Sequence, residues 1–250
     1  MNVTLNKLLP VLLLMSVLTV NAAEVLVAVA ANFSAPAQKI ATSFEQDTGH
    51  RAVISIGSTG KFYTQIRNGA PFHVFLAADD ETPTRLAKEG QAVEGTQFTY
   101  AIGKLVLWSK QAQLVDDRGE ILKKGNFAHI AIADPKLAPY GIAAMQVLSK
   151  MGLDKQLSPK FVWGENISQT FLYVDSNATE VGFVALSQVL QEGRIGQGSV
   201  WIVPISMYES LKQNAVLLNT GKNNPAAESF MKYLQTSKAQ QIIKTYGYSF

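Results

Sequence analysis

Residues 24–36 read Glu24-Val25-Leu26-Val27-Ala28-Val29-Ala30-Ala31-Asn32-Phe33-Ser34-Ala35-Pro36, and this stretch decides the fold class. Its first half is apolar at consecutive positions. A strand of that kind is covered on both faces, which is the pattern of a parallel strand buried between helices. Its second half supplies two cap candidates, Asn32 and Ser34, and a proline suited to a first helical turn. Ala37, Ile40, Ala41 and Phe44 then recur at helical spacing until Gly49 stops the run.

The alternation continues outward from there. Residues 52–56 predict a second strand, Gly57-Ser58-Thr59-Gly60 a tight turn into a helix through Phe62 and Ile66, and residues 74–77 a third strand. Asp79 and Asp80 precede a helix through Leu86 that ends at Gly90. Strand and helix in this order imply an α/β fold with a parallel sheet. A second unit of the same kind begins near Gly103. Its strands are expected at 104–108, 130–133, 161–163 and 181–185, and its helices at 121–125, 140–151 and 167–175. Residues 201–204 lead back out, and the tail predicts helices over 225–234 and 238–246. No internal repeat or low-complexity linker is present.

The N-terminus reads as an export signal. Lys7 is followed by a short apolar run over residues 8–20, and Val20-Asn21-Ala22 offers a small-residue exit, with cleavage expected after Ala22. The run is too short to span ~30 Å of hydrocarbon, so an exported protein outside the cytoplasm is expected. With 250 residues, 47% hydrophobic and 16% charged, the composition is that of a core-forming chain and excludes disorder, collagen and coiled coil. A formal charge of +3 with no basic run gives no reason to expect nucleic acid. The absence of cysteine removes disulfides, thiolate catalysis and zinc–sulfur sites.

Enzymatic patterns are missing as well. There is no G-x-S-x-G elbow, no H-E-x-x-H, no phosphate-binding loop, and His50, His73 and His129 are far apart. Asp79-Asp80 reads more simply as a helix cap than as a catalytic pair. What remains is a set of hydroxyls and amides at strand-to-helix turns: Asn32, Ser34, Ser58, Thr59, Tyr140, Asn166 and Ser168. Each alone is a cap candidate. Together, helix N-termini with free N–H groups and no nearby cation suit a small anion. Lys61 is the nearest cation, and its spacing points it along the helix into solvent.

Several segments carry a family resemblance: V-A-V-A-A-N-F-S (residues 27–34), the G-S-T-G turn, G-A-P-F-H-V-F-L-A-A-D (69–79), D-P-x-x-A-P-Y-G (134–141), E-N-I-S-Q (165–169), E-V-G-F-V (180–184) and the closing Y-L-x-x-x-x-A-Q-x-I-x-x-x-Y-G-Y (233–248). In this order and spacing the chain resembles the periplasmic molybdate-binding proteins of ABC importers, over essentially all of its length after the leader. The resemblance implies a two-lobed periplasmic-binding-protein fold of type II, with parallel or mixed sheets flanked by helices and a cleft between the lobes. It implies lobe I at 23–102 plus 206–250, lobe II at 103–205 and a leader at 1–22. Hinges are expected at 100–104 and 201–206. The implied partners are a tetrahedral oxyanion, molybdate or tungstate, and a membrane ABC permease. A monomer without a cofactor is expected.

By the same resemblance, the ligand-binding positions are Ala31 and Asn32, Ser58 or Thr59, Tyr140, and the backbone N–H of Ile167. They touch molybdenum only through the oxygens of the anion. Ala185 stands where many relatives carry a tyrosine, and Tyr140 where many carry a small residue. That exchange predicts that the Tyr140 hydroxyl replaces the donor lost at Ala185. The alternative is that Tyr140 lids the cleft and binds through its backbone N–H. Charge-assisted hydrogen bonds contribute roughly 1.5–3 kcal/mol each, and six or seven of them imply a micromolar to ~10 nM site. Neutral donors match a fully ionised dianion and leave the O–H of a protonated phosphate unmatched. A sulfate or thiosulfate binder is the nearest alternative. An exported hydrolase, or a sensory or adhesive module with a vestigial cleft, is the alternative from another class.

Overall fold

The computed structural model describes residues 22–191 and 193–250, so the leader read in residues 1–22 lies outside the described residues except for Ala22. From its first strand the chain forms β1 (Glu24–Ala30), a 3-10 turn (Ala31–Phe33), α1 (Ser34–Thr48), β2 (Arg51–Gly57), α2 (Thr59–Arg67), β3 (Val74–Leu76), α3 (Glu81–Lys88) and β4 (Phe98–Gly103). It crosses at Lys104 into β5 (Leu105–Ser109), α4 (Glu120–Lys124), β6 (Ile130–Ala133), α5 (Pro139–Lys150), α6 (Asp154–Leu157), β7 (Phe161–Gly164), α7 (Ile167–Asp175), β8 (Val181–Ala185) and α8 (Leu186–Val189). A small ribbon, β9 (Leu190–Gln191) with β10 (Arg194–Ile195), precedes β11 (Ser199–Ile202). The chain then returns through β12 (Leu211–Leu217), α9 (Pro225–Tyr233) and α10 (Ser237–Thr245).

Two five-stranded sheets result, ordered β2-β1-β3-β12-β4 and β11-β5-β8-β6-β7. In the first, β1 runs parallel to β2 and β3, while β12 is antiparallel to β3 and β4. The second pairs β6 parallel to β7 and β8, with β5 and β11 antiparallel. Both sheets are therefore mixed and flanked by helices, the two-lobed type II arrangement.

The apolar reading of β1 holds. Val25, Val27, Ala28 and Val29 have no exposed surface. They sit between a helical layer holding Phe33, Ile40, Phe44 and Phe230 and another holding Phe62, Ile66 and Leu86. Gly49 closes α1 at φ 73, a conformation that penalises any residue with a Cβ. The predicted strand at 181–185 matches β8 residue for residue.

Of the strands in the two five-stranded sheets, three escape the sequence reading, β4, β11 and β12. In β12, Leu-Lys-Gln-Asn-Ala-Val-Leu looks like a polar loop at its first half. Gln213 and Asn214 are nonetheless buried at a register shift in the middle of the sheet. Gln213 explains itself through partners on both sides, described below. The return through β12 places α9 and α10 on the first sheet.

The lobes meet over an apolar surface. One continuous cluster contains Ala30, Ala31 and Ala78 from the first lobe and Ala138, Tyr140 and Ile167 from the second. The two crossings are tied together where the N–H of Leu105 donates to the Tyr208 hydroxyl at 3.1 Å. Among the described residues, no helix is long and apolar enough to cross a membrane.

Candidate functional site

Both sheets point the carboxyl ends of β1, β2, β6 and β7 at one seam, and each of these strands turns there into a helical segment. A small cavity lies in that seam, lined by Ala30, Ala31, Asn32, Ser58, Thr59, Ala78, Ala138, Pro139, Tyr140, Asn166 and Ile167. Every position named from the sequence, Ala31, Asn32, Ser58, Thr59, Tyr140 and Ile167, is in this lining. Larger hollows exist, such as the groove by Val93, Phe98 and Met231. That groove lies open on one lobe, whereas the small cavity gathers donors from both.

No side chain lining the cavity carries a charge. Four helical N-termini face it: the 3-10 turn leading to α1, then α2, α5 and α7. Their caps at Ala30 and Ala138 have no side-chain acceptor, and none of the four first turns holds an acidic residue. The first N–H groups of a helix have no partner within it, and their dipoles favour negative charge.

The hydroxyls complete the set. Ser58 Oγ accepts the N–H of Lys61 at 3.3 Å, and Thr59 Oγ1 accepts the N–H of Ala78 at 3.1 Å. Each oxygen is thus fixed as an acceptor, and its proton finds no protein acceptor among the described residues. Both residues are 2% exposed. The geometry does not choose between Ser58 and Thr59; it offers both. Asn166 Oδ1 accepts the N–H groups of Ser168 and Gln169 at 2.9 and 3.0 Å, which turns its amide N–H₂ outward from the helix end.

Asn32 is held differently. Its Nδ2 donates to Gln213 Oε1 at 2.7 Å and to the Tyr248 hydroxyl at 3.0 Å. Gln213 Nε2 donates to the carbonyls of Leu211 and Ala78, which fixes both amide orientations. The Asn32 carbonyl in turn accepts from the Ser187 and Tyr248 hydroxyls, each at 2.8 Å. The Asn32 side chain is therefore a strut, and what this residue has left to offer the cavity is its backbone N–H. Gln213, Ser187 and Tyr248 are supports that sequence reasoning missed. In the sequence the Y-G-Y end carries a family resemblance and no sign of this supporting role.

Tyr140 enters the lining at the first turn of α5. Its hydroxyl lies elsewhere: a Cβ on Gly103 would meet it at 2.2 Å. Tyr248 is close enough to shift its titration, yet no partner meets hydrogen-bonding geometry. Burial pushes the Tyr140 hydroxyl well above its ordinary value, and pushes that of Tyr248 up to about 12. Neither Gly103 nor Tyr248 lines the cavity. Ala185 is fully buried opposite Leu105, gives its N–H to Gln188 Oε1 at 2.9 Å, and is not in the lining.

The lobes are closed on one another. The N–H of Gly60 donates to the Leu137 carbonyl at 2.9 Å, and Ser168 Oγ donates to the Ala31 carbonyl at 3.2 Å. A Cβ at Gly60 would sit 3.1 Å from Leu137 Cα, so the approach favours glycine. Sequence spacing points Lys61 into solvent, and here the structure corrects it. Lys61 Nζ pairs with Glu165 of the other lobe, because the N-terminal ends of α2 and α7 converge.

Groups capable of acid–base chemistry are engaged elsewhere. Asp79 accepts from the N–H and hydroxyl of Thr82 at 2.8 and 3.0 Å, the cap expected of it. Burial raises its carboxyl above the usual range. His50 and His73 accept the N–H groups of Ala23 and Leu26 through Nδ1. Among the described residues no cluster of His, Asp and Glu could hold a metal ion.

The sequence profile of the bacterial extracellular solute-binding proteins matches residues 25–249. The molybdate-binding protein ModA of Azotobacter vinelandii is 56% identical over 227 residues, covering 91% of this chain and 90% of the relative. ModA of Rhodobacter capsulatus is 50% identical, covering 91% and 88%. The solved structure of an Azotobacter vinelandii periplasmic molybdate-binding protein superposes with a TM-score of 0.88 at 42% identity, covering 90% of this chain and 99% of that one.

Proposed function

We propose that this chain, which belongs to the bacterial extracellular solute-binding protein family, captures molybdate between its lobes and delivers it to a membrane ABC permease. It is a binder and carrier, not an enzyme. The observation that carries this reading is the uncharged cavity where four helical N-termini and two hydroxyl protons converge. A dianion is costly to desolvate unless the site replaces its water shell with fixed donors. Backbone N–H groups of Ala31, Asn32, Tyr140 and Ile167 and the hydroxyls of Ser58 and Thr59 are such donors. None can accept a proton, so a protonated oxyanion is disfavoured. Tungstate, of the same charge and shape, is bound as well. No cofactor takes part.

The protein works as a monomer in the periplasm. Lobe I comprises 23–102 and 206–250, and lobe II comprises 103–205, with the hinges at the crossings 100–104 and 201–206. The lobes part to admit the anion and close over it.

Thermal denaturation with molybdate, tungstate, sulfate or phosphate tests the reading. At a hundredfold excess over Kd a ligand stabilises by about 2.7 kcal/mol, which for a chain of this size is roughly 5–11 °C. Shifts of that size are expected with molybdate and tungstate, and little with phosphate. An equal or larger shift with sulfate would reassign the ligand, and no shift with any of the four would sink the reading.

A further inference from the structure

Lys61 and Glu165 are the ends of an ion pair that joins α2 of the first lobe to the residue preceding Asn166, the cap of α7, in the second. Among the described residues the other ion pairs each stay within one lobe. Neither side chain lines the cavity, and each is about half-exposed, 43% and 50%, so the pair sits at the cavity's outer rim. Both ends are tied to the lining. The Lys61 N–H is bonded to Ser58 Oγ, and the Glu165 N–H to Gln169 Oε1 beside the Asn166 cap. The interlobe bond from Gly60 to Leu137 is adjacent to it.

We propose that Lys61 and Glu165 form a charge clasp with two successive tasks: separated, they direct the anion to the first lobe; joined, they delay its release. The proposal rests on the oxyanion reading above. Lobe separation breaks the pair by geometry alone. It leaves a free ammonium beside Ser58 and Thr59, and a free carboxylate beside Asn166 and Ile167. An incoming dianion is attracted to the first rim and repelled by the second. On closure the carboxylate captures the ammonium, so the rim becomes neutral and the closed form gains a contact that the open form lacks.

The two tasks give an asymmetric kinetic signature. Lys61→Met removes the attraction and the clasp, so kon falls and koff rises. Glu165→Gln removes the repulsion and the clasp, so kon and koff both rise. An exposed ion pair changes koff by about two- to fivefold. A unit charge acting on a dianion across ~10 Å of water changes kon by roughly fourfold at low ionic strength. The double exchange Lys61→Glu with Glu165→Lys restores the pair, and with it the parent koff. In 0.5 M salt all of these differences shrink.

Stopped-flow mixing with sodium molybdate, read by tryptophan fluorescence in low-salt buffer, tests this on the parent and the three variants. The melting temperatures of the unliganded forms serve as a check, and are expected to agree with the parent's. Opposite changes in kon with parallel rises in koff, reversed for koff by the exchange, support the clasp. A koff equal to the parent's in both single variants, or kon moving in one direction for both, overturns it. A parent protein that binds no molybdate at all overturns the function reading itself, a different and recognisable result.

Discussion

Replacing Tyr140 by Phe separates two roles that one residue could combine. The Tyr140 hydroxyl is buried without a hydrogen-bond partner among the described residues, pressed against Gly103 and facing the Tyr248 hydroxyl. A buried hydroxyl that makes no bond costs about 1–3 kcal/mol. Deleting it should therefore stabilise the protein, and at roughly 2–4 °C per kcal/mol for this chain length the melting temperature should rise by about 2–12 °C. The residue contributes to the cavity from the first turn of α5, and Phe leaves that backbone unchanged. The affinity for molybdate should stay within about twofold, the range of a neutral substitution. Had the hydroxyl replaced a donor lost at Ala185, the same change would weaken binding by roughly 10- to 150-fold. Calorimetric titration and scanning calorimetry of the two proteins measure both quantities. A tenfold loss of affinity, or a lower melting temperature, would refute the reasoning and return the hydroxyl to the ligand.

Ser58→Ala should raise Kd for molybdate by roughly 10- to 150-fold, and the lost cap on α2 should cost about 1 kcal/mol of stability in the unliganded protein. Thr59→Val should weaken binding similarly and also strand the N–H of Ala78, so unchanged titrations for both would remove them from the site. Tyr140 is the one titratable residue in the lining, and its hydroxyl is pushed well above its ordinary value. Molybdate affinity at fixed ionic strength should therefore be flat from about pH 6 to 9, and a bell-shaped profile would contradict the lining. Asp47 has its carboxyl lowered from 3.8, first by the hydrogen bond from Lys238 and then by that from Tyr233. Its stabilisation is present above that ordinary value and disappears as pH falls through the lower folded-state value. Asp47→Asn should accordingly melt earlier than the parent at pH 7 and match it near pH 2, where a persisting difference would point to another cause.

The parts of the fold that could be read in the sequence are those where one local signal decides. β1 and β8 are buried on both faces, so an unbroken apolar run identifies them whatever they pair with. α9 begins with Pro225 after Asn224, whose Oδ1 accepts two backbone N–H groups, and such a start is visible in the chain itself. β12 shows the opposite case. Its Lys212, Gln213 and Asn214 say loop, and only the strands on either side make the segment a strand. Burying Gln213 is tolerable because its amide has three protein partners, two of them carbonyls of Ala78 and Leu211 and the third the Asn32 amide. Those partners are far apart in sequence, so no window of residues contains the reason.

The site divides along the same line. A helix N-terminus is written locally, in a turn such as Gly57-Ser58-Thr59-Gly60, and of the seven hydroxyl and amide positions read at such turns, five (Asn32, Ser58, Thr59, Tyr140 and Asn166) line one cavity, while Ser34 and Ser168 do not. What each position offers once it arrives is set at long range. Asn32 looks like a donor until Gln213 and Tyr248 are seen to use its amide protons. Tyr140 looks like a phenol aimed at the anion until Gly103 is seen to receive it. Lys61 looks solvated until the second lobe brings Glu165 to it. In each case the sequence locates the backbone and a distant partner turns the side chain. The proposed anion site depends on this division of labour: backbone N–H groups supply donors that no substitution easily removes, the Ser58 and Thr59 hydroxyls add two more, and the other side chains hold that backbone in place.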